Sequence, residues 1–312
     1  MEFRVGVPVM GSKIMDAAVD KRGVGVLISA NSLWNGQRRQ FELPRERILR
    51  DGTIAGFDGE TLSRRNVALD SAGYVAMKLY GGNYPWSVEQ YVRLGGDSGE
   101  PGSPWGNYGW AWYSAMDLCC EPEIAANAAE VHARVVGTAD LLDEMYQTID
   151  WWRSDEGEGA YWFRDPMPIL QGWRPVDYVE SARCTNAVLR ARGRQWPDMV
   201  GVGSVCRRQI RGPDGLLRVL GALDLVLPSH VRLHLFGVKG TALAILRDNP
   251  RVGSVDSCAW DYTARVEARR QGVSKTNAFR LAVMDRWLAA QHVNMAAGPQ
   301  LDLFATAEPR PA

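Results

Sequence analysis

The 312-residue chain has few of the residues that hold metals or form disulfides: four histidines and five cysteines. The cysteines are odd in number and irregularly spaced, and no C-x-x-C pair occurs. This pattern excludes a disulfide framework or a zinc ribbon and favours a reduced, intracellular protein. No H-x-H or H-E-x-x-H motif occurs either, which disfavours a metal-dependent barrel hydrolase.

Long apolar runs and net charge are also missing. No run approaches the roughly 18 apolar residues that a membrane helix needs, and the first residues lack the apolar stretch of a signal peptide. We therefore expect no membrane partner and a cytoplasmic location, in a bacterium or an infected host cell. The 36 basic residues balance the 36 acidic ones, so the whole chain is not an obvious polyanion binder. Local arginine clusters could contact phosphates, or they could be solvated surface in a chain that favours Arg over Lys.

Four apolar segments each end in an acid or an amide: Asp70, Asp117, Gln171 and Asp256. Short apolar runs without alternation are typical of parallel strands buried on both faces. The sequence predicts eight such strands, at 3–8, 23–29, 66–70, 109–116, 166–171, 198–203, 231–237 and 252–256. Helices are predicted at 122–149, 176–193, 214–221, 240–247 and 274–293.

This alternation predicts an α/β fold, a (β/α)8 TIM barrel over residues 1–293 with long βα loops at 31–65 and 80–108. An open doubly wound sheet is the alternative, but no G-x-G-x-x-G follows the first strand. In a parallel barrel the strand ends meet at one face, so the three carboxylates and the amide should converge there. Residues 294–312 are rich in Gly, Pro and Ala and are expected to form a disordered tail.

Six short motifs lie in order between residues 66 and 260. They are Leu69-Asp70-Ser71-Ala72-Gly73-Tyr74, Ala115-Met116-Asp117, Ile169-Leu170-Gln171-Gly172, Val202-Gly203-Ser204-Val205, Leu235-Phe236-Gly237-Val238 and Val255-Asp256-Ser257-Cys258. In that order they resemble the D-S-G-G-F/Y motif, the base-recognising aspartate, and the V-Q-G-G, I-G-G-L, L-M-G-V-G and F-D-C motifs of the tRNA-guanine transglycosylase superfamily. The chain is most similar to the DNA-directed branch, the deazapurine DNA modification transglycosylases of phages and bacterial genomic islands.

The resemblance implies a base exchange in which guanine leaves a nucleotide and a 7-deazaguanine, such as the 7-cyano form, takes its place. It implies that Asp256 is the nucleophile and that Asp70 is the general acid and base. The base-binding residues that it implies are Asp117, Gln171, Gly203, Ser204, Tyr74, Phe236 and Ser71.

Each of these residues also has a simpler interpretation. An Asp at a strand end often caps the next helix, Gln171 could tie down a loop, and the two aromatics could be core residues. His234 is only a weak site candidate.

The chain departs from the family in ways that concern the substrate. It lacks the C-x-C-x-x-C cluster of the tRNA enzymes, so we expect no zinc and no other cofactor. Ala72 replaces the first Gly of D-S-G-G, and Ala259-Trp260-Asp261 replaces P-T-R. Arg207 and Arg208 stand where the family has an acid, which suits a contact with DNA phosphate.

These departures favour DNA and a free 7-deazaguanine base as the substrates. The alternatives are exchange on tRNA, or a non-catalytic barrel that binds DNA or a sliding clamp.

The predicted tail contains one further motif. Its residues resemble the peptide by which bacterial replication proteins dock on the sliding clamp, with two apolar side chains for a pocket and one amide for polar contacts. The alternative is a hydrophobic patch that packs back on the barrel. The motif consists of Gln300, Leu301, Asp302, Leu303 and Phe304.

Overall fold

A computed structural model describes residues 1–8, 13–42, 47–48, 54–55, 66–96, 109–154, 163–206 and 208–296. Within these ranges the chain is an α/β protein built on a seven-stranded parallel sheet. The strands are β1 Glu2–Val7, β2 Gly25–Ser29, β3 Trp34–Asn35, β4 Gln40–Phe41, β5 Arg47–Ile48, β6 Ile54–Ala55, β7 Val67–Asp70, β8 Ile169–Leu170, β9 Met199–Val202, β10 Arg232–Leu235 and β11 Val252–Ser257.

The main sheet has the order β7-β2-β1-β11-β10-β9-β8, and the short strands form the antiparallel pairs β3–β4 and β5–β6. The register brings Ser29 beside Asp70 and Arg4 beside Asp256. All neighbouring strands of the main sheet run parallel, so their carboxyl ends share one edge. Candidate site residues therefore lie together at that edge.

Segment 111–115 lies between β7 and the segment that leads into β8. Isolated parallel bridges pair Leu69 with Tyr113 and Ser114 with Met167. The backbone N–H of Ser114 donates to Leu69 O at 2.9 Å, and Met167 N–H donates to Tyr113 O at 2.8 Å. One stretch of chain thus contacts both β7 and the segment that leads into β8.

The predicted strand 109–116 forms only these isolated bridges, and the predicted strand 166–171 is shortened to β8. Two local features explain why these two segments do not form strands of the predicted length. Tyr91 donates its hydroxyl to Ser114 O at 2.9 Å, which engages a carbonyl of the ladder with a side chain. Pro166 and Pro168 flank Met167 and have no N–H to give to a neighbouring strand.

Helices follow most of the strands and cover the sheet. They are α1 Lys13–Arg22, α2 Gly73–Leu79, α3 Val88–Gly96, α4 Ala128–Arg153, α5 Pro175–Ala191, α6 Leu216–Asp224, α7 Gly240–Leu246, α8 Ala259–Gln271 and α9 Asn277–Met295. No helix in the described ranges combines the length and apolar character needed to cross a membrane.

The structure corrects the predicted start of α4. The prediction began that helix at Pro122, whereas the helix begins at Ala128. The Asn127 side chain accepts a hydrogen bond from Glu130 N–H at 3.0 Å, and Glu130 accepts in return from Ala126 N–H at 2.8 Å. This capping arrangement fixes the helix start, while Glu121 O accepts from Ile124 and Ala125 N–H in a separate turn. The start of α9 shifts similarly, because the prediction began this helix at residue 274, whereas Thr276 caps it and the helix begins at Asn277.

The predicted loop 80–108 contains helix α3, which the sequence prediction missed. Tyr91, Val92 and Leu94 of this helix are fully buried in the main core. Burying an apolar side chain of this size contributes about 1.5–3 kcal/mol. The helix thus belongs to the packed body and supports the 111–115 segment through Tyr91.

Candidate active site

A cavity of about 240 Å³ opens at the carboxyl edge of the sheet. It is smaller than the roughly 300–1,000 Å³ typical of sites for drug-sized ligands, so its size suits a single base. Eight of the predicted site residues line it: Asp70, Tyr74, Asp117, Gln171, Gly203, Ser204, Phe236 and Asp256.

Asp256 lies on β11 and is buried, with one side facing the cavity. Gly237 N–H donates to its Oδ1 at 2.9 Å. Gly237 adopts a φ of +70°, a left-handed conformation that favours glycine, and this conformation aims the N–H at the carboxylate. The hydrogen bond holds the side chain in one orientation and stabilises its negative charge.

Beneath Asp256 lies a buried histidine. His234 is fully enclosed, and its Nε2 is 3.4 Å from Asp256 Oδ1. Its Nδ1 is 2.8 Å from Ser254 Oγ, and its ring packs edge-on against Trp112 and Phe236. Burial lowers the pKa of His234, so the ring is neutral, and an Nε2–H facing Asp256 leaves Nδ1 to accept from Ser254. His234, a site candidate of the sequence analysis, thus lies against Asp256, the predicted nucleophile.

Asp70, the last residue of β7, has a pKa raised from 3.8 to about 8. Burial is the largest cause, and the nearby charges of Asp117 and Asp256 add to it. Its Oδ2 accepts a hydrogen bond from Ala72 N–H at 3.1 Å, which opposes the shift. Asp70 is therefore mostly protonated at neutral pH and can give a proton to a leaving group.

Asp117 sits in a cage of hydrogen-bond donors. Ser71 donates to its Oδ1 at 2.6 Å, and Gln171 Nε2 donates to its Oδ2. Tyr84 OH accepts from the Asp117 backbone N–H at 3.0 Å and donates to its O at 2.8 Å. These contacts fix the carboxylate in space. Burial nevertheless raises its pKa.

Two glycines make room for this network. A Cβ on Gly73 would lie 2.6 Å from Asp117 Oδ1, and a Cβ on Gly203 would lie 2.1 Å from Gln171 Nε2. At either position an added Cβ would force the facing groups to shift. The glycines of the predicted motifs are therefore needed for close approach to the two polar side chains that they face.

Tyr74 and Phe236 both line the cavity, so neither is only a core residue. Tyr74 is 39% exposed. Phe236 is half-buried and packs on His234 and Trp112. Flat side chains at a cavity of this size can stack on a planar base.

The sequence predicts that Arg208 contacts DNA phosphate, whereas in the structure its guanidinium contacts carbonyl oxygens of the protein. Its guanidinium is buried and donates to Trp173 O at 2.6 Å, Asp214 O at 2.7 Å and Ser204 O at 2.9 Å. It also packs over the Trp173 ring at 4.1 Å. Arg208 thus fixes the loop after β9, with its donors used inside the protein. Arg207 lies outside the described residues.

The structure also shows residues that the sequence prediction missed. Tyr84 hydrogen-bonds the backbone of Asp117. Glu121, with only 7% of its surface exposed, has its Oε2 2.9 Å from Ser204 Oγ, within hydrogen-bond distance. Glu121 follows Asp117 by four residues in Asp117-Leu118-Cys119-Cys120-Glu121. The closeness of Glu121 in sequence to Asp117, a predicted recognition residue, is the signal that could have identified it. Nothing local marks Tyr84, which reaches the site from a predicted loop.

In the part of the chain that the structure describes, no group of three or more His, Cys, Asp or Glu side chains could hold a metal ion. The predicted tail motif at 300–304 lies outside the described residues.

A family model matches most of the chain. The family model described as DpdA, DeoxyPurine in DNA protein A, matches residues 59–300. No curated protein matches the chain. The matched range includes every residue named above as lining the cavity, from Asp70 to Asp256.

Proposed function

Because the chain belongs to the DpdA family of DNA-guanine transglycosylases, which is related to the tRNA-guanine transglycosylase superfamily, we propose that it replaces guanine in DNA with a 7-deazaguanine such as 7-cyano-7-deazaguanine. The observation that carries the proposal is the pairing of Asp256 with Asp70 at one base-sized cavity. One carboxylate is held by a backbone N–H, and the other carboxyl group is kept protonated partly by the first.

In the proposed reaction, Asp256 attacks C1′ of the deoxyribose and the bond from C1′ to guanine breaks. Asp70 gives its proton to the departing guanine, and the sugar remains bound to Asp256 as an ester. The free deazaguanine then attacks C1′, the ester bond breaks, and Asp70 takes up the proton that the incoming base loses. Two displacements at one carbon retain its configuration, as in retaining glycosidases.

The base would be recognised by the cage around Asp117. Guanine presents N–H donors at N1 and N2, which match the oxygens of an ionised Asp117. Its O6 acceptor matches the amide N–H of Gln171, and Tyr74 and Phe236 would stack on the ring faces. Because C1′ is hidden in a stacked duplex, the target nucleotide must flip out or lie in a single strand.

We also infer that segment 111–115 completes an eight-stranded (β/α)8 barrel. The bridges to Leu69 and Met167 support this inference because Leu69 belongs to the outer strand β7 and Met167 lies in the segment that leads into the other outer strand, β8. The proposed chemistry requires no metal or cofactor, since protein carboxylates supply both the nucleophile and the proton carrier.

A radioactive guanine exchange assay tests the proposal. The purified chain is incubated with labelled guanine and either duplex DNA, single-stranded DNA or tRNA. We expect label in DNA, and an adduct between DNA and protein that is trapped at Asp256 and is absent from an Asp256→Asn variant. Asp248→Asn is the matched control, because Asp248 is exposed and pairs only with its neighbour Arg247 among the described residues.

Label in tRNA alone would reassign the substrate. Absence of exchange in every nucleic acid, with deazaguanine supplied, would refute the enzymatic proposal and favour a binding protein. Nucleoside mass spectrometry of DNA from cells that express the chain would then identify which deazaguanine is inserted.

We further propose that Gln300–Phe304 binds the replication sliding clamp. A short peptide segment loses little entropy on docking compared with a folding domain, and tethering raises the effective concentration of DNA for a chain without net charge. A variant with Leu303 and Phe304 changed to Ala should lose binding to purified clamp and keep exchange on short oligonucleotides. Unchanged clamp binding would exclude this segment as the docking peptide.

A further inference from the structure

The hydroxyl group of Ser204 faces more acceptors than it can serve. Its Oγ accepts from Cys120 N–H at 2.7 Å, and it lies 2.7 Å from Gln171 Oε1 and 2.9 Å from Glu121 Oε2. A serine hydroxyl has one proton to donate and two lone pairs with which to accept. It can donate to only one of these two oxygens, so the other oxygen must itself bring a proton.

The direction of the hydrogen bonds that link Glu121, Ser204, Gln171 and Asp117 follows from Gln171. Its Nε2 donates to Asp117 Oδ2, so its Oε1 is an acceptor and receives the Ser204 proton. Only Glu121 is left to supply the missing proton. With Glu121 protonated, Ser204 accepts from Glu121 and from Cys120 N–H and donates once, which matches its capacity.

We propose that Glu121 holds a proton in the resting protein and, through Ser204 and Gln171, keeps Asp117 ionised and ready to accept the N–H groups of guanine. Glu121 is thus a positioning residue for base recognition. This inference rests on the proposed function and deepens it, because it names the group that sets the polarity of the recognition edge. It concerns a residue outside the family motifs quoted above.

The surroundings of Glu121 favour the protonated form. Burial raises the pKa of Glu121, and the charges of Asp117 and Glu123 add to the effect. The neighbouring guanidinium of Arg208 is directed at carbonyl oxygens of the loop. Other titratable groups of the elements packed around this segment are Cys120, Arg134 of α4, and Asp177 and Tyr178 of α5.

The loop after β9 holds Ser204 in place for this role. Ser204 adopts a φ of +52°, an unfavourable conformation for a residue with a Cβ. Its carbonyl is bound by Arg208 Nη2 at 2.9 Å, and Tyr178 OH donates to Gly203 O at 2.8 Å. Strain of this kind persists only where the surrounding structure enforces it, so the hydroxyl position is tightly specified.

The network has one other arrangement that satisfies every donor and acceptor. In it, Asp117 carries the proton, the amide of Gln171 is turned over and Glu121 is ionised. Each hydrogen bond between Glu121, Ser204, Gln171 and Asp117 then runs in the opposite direction. Asp117 would then present an O–H where guanine presents N–H groups. Two donors facing each other leave buried polar groups unpaired, so the arrangement with Glu121 protonated binds guanine and the reversed one does not.

The test measures binding of free guanine by calorimetry across pH, without any nucleic acid. All variants carry Asp70→Asn, so that Asp70 does not titrate in the same range. With Glu121 intact, affinity should fall as pH rises through the raised pKa of Glu121, by about 5-fold to 150-fold. Glu121→Gln should keep the affinity seen at low pH and lose the fall, because its amide N–H donates to Ser204 at any pH.

Two further variants sharpen the result. Glu121→Ala removes both the proton and the competing acceptor, so Ser204 still donates to Gln171 and the fall of affinity with pH should vanish here too. Glu123→Gln removes a neighbouring acid that lines the same cavity and should keep the fall, moved to lower pH. The inference is overturned if either Glu121→Gln or Glu121→Ala retains the alkaline loss of affinity, or if Glu121→Gln binds guanine as weakly at every pH as the protein with Glu121 intact does at high pH.

Infrared spectroscopy gives a readout that needs no ligand. A protonated carboxyl group has a C=O stretching band apart from that of a carboxylate. We expect one such band at neutral pH to disappear in Glu121→Gln and to persist in Glu123→Gln. A spectrum unchanged by Glu121→Gln would overturn the inference even if base exchange is confirmed, and a lost band would support it even if exchange fails.

Discussion

The protonation of Asp70 should control both the rate of guanine release and the stability of the fold. The pKa of this carboxyl group is about 8, raised first by burial and then by the charges of Asp117 and Asp256. At pH 7 about nine in ten molecules therefore carry the proton. Above pH 8 the protonated fraction falls tenfold per pH unit, and the rate of guanine departure should fall with it.

Single-turnover release of guanine from labelled DNA measures this step. We expect an alkaline limb with an apparent pKa near 8 and a loss of about 10²- to 10⁴-fold in Asp70→Asn, the usual contribution of a general acid. The asparagine keeps the shape and neutrality of the protonated acid and removes only its proton. A profile that is flat to pH 9, or an Asp70→Asn variant with normal release, would refute this role.

The same pKa has a consequence for folding. Between the unfolded value of 3.8 and about 8, the native state binds more protons at Asp70 than the unfolded chain does. Stability must therefore fall as pH rises through this window, by about 1.4 kcal/mol per pH unit. The total loss by pH 8 is on the order of 5 kcal/mol as an upper limit, since solvent reaching the cavity screens the charge.

Asp70→Asn should remove this loss of folding stability at high pH, because asparagine does not titrate. Denaturant unfolding of the two proteins should give similar stabilities near pH 4 and a more stable variant at pH 8, whereas Asp248→Asn should follow the wild type at both. Comparison with the wild type cancels the opposite contribution of His234, whose lowered pKa makes stability rise with pH.

The charge of Asp256 also contributes to the shift. Carbon-13 NMR titration should therefore give a lower pKa for Asp70 in Asp256→Asn. An unchanged value would remove the proposed coupling between the two acids.

Two further substitutions test local geometry. Ala72 has a φ of +67°, which costs about 1–2 kcal/mol for a residue with a Cβ. Ala72→Gly should therefore raise the melting temperature by a few degrees despite the greater freedom of glycine in the unfolded chain; calorimetry showing a lower value would contradict the strain. The Cβ added by Gly203→Ala would lie 2.1 Å from the end of the Gln171 side chain and would displace it. Guanine affinity should therefore fall about tenfold or more, while thermal unfolding changes little. Unchanged affinity would show that the position of the Gln171 amide is not needed for base binding.

Most strands of the main sheet, and the polar residues at the cavity, were predictable because parallel strands leave a simple signal. A short apolar run followed by Asp or Gln places that side chain at the carboxyl edge, and Asp70, Asp117, Gln171 and Asp256 do line one cavity. Helix starts were less predictable. Alanines continue on both sides of Asn127, and only the reciprocal bonds of the cap show where α4 begins.

The environment of each side chain was not predictable in the same way. Arg208 looked like a phosphate ligand because sequence records its charge and not its burial. Glu121 carried no motif, and its role depends on Ser204, which is 83 residues away along the chain. Contacts of this kind arise from the meeting of loops after different strands, and a single sequence does not encode their distances in any local pattern.

Three acids that line one cavity differ in their hydrogen bonds and in the charges of their neighbours. Asp256 receives the N–H of Gly237 and faces a neutral histidine, so its charge is supported and its side chain remains open to the cavity. Asp70 receives one N–H and is repelled by the two other acids, so it keeps a proton to give away. Asp117 is bonded by Ser71 and Gln171 on both oxygens, so it is oriented to accept. The proposed exchange of one purine for another needs a nucleophile, an acid and an acceptor at the same base, and in this proposal the differing hydrogen bonds of identical side chains provide all three.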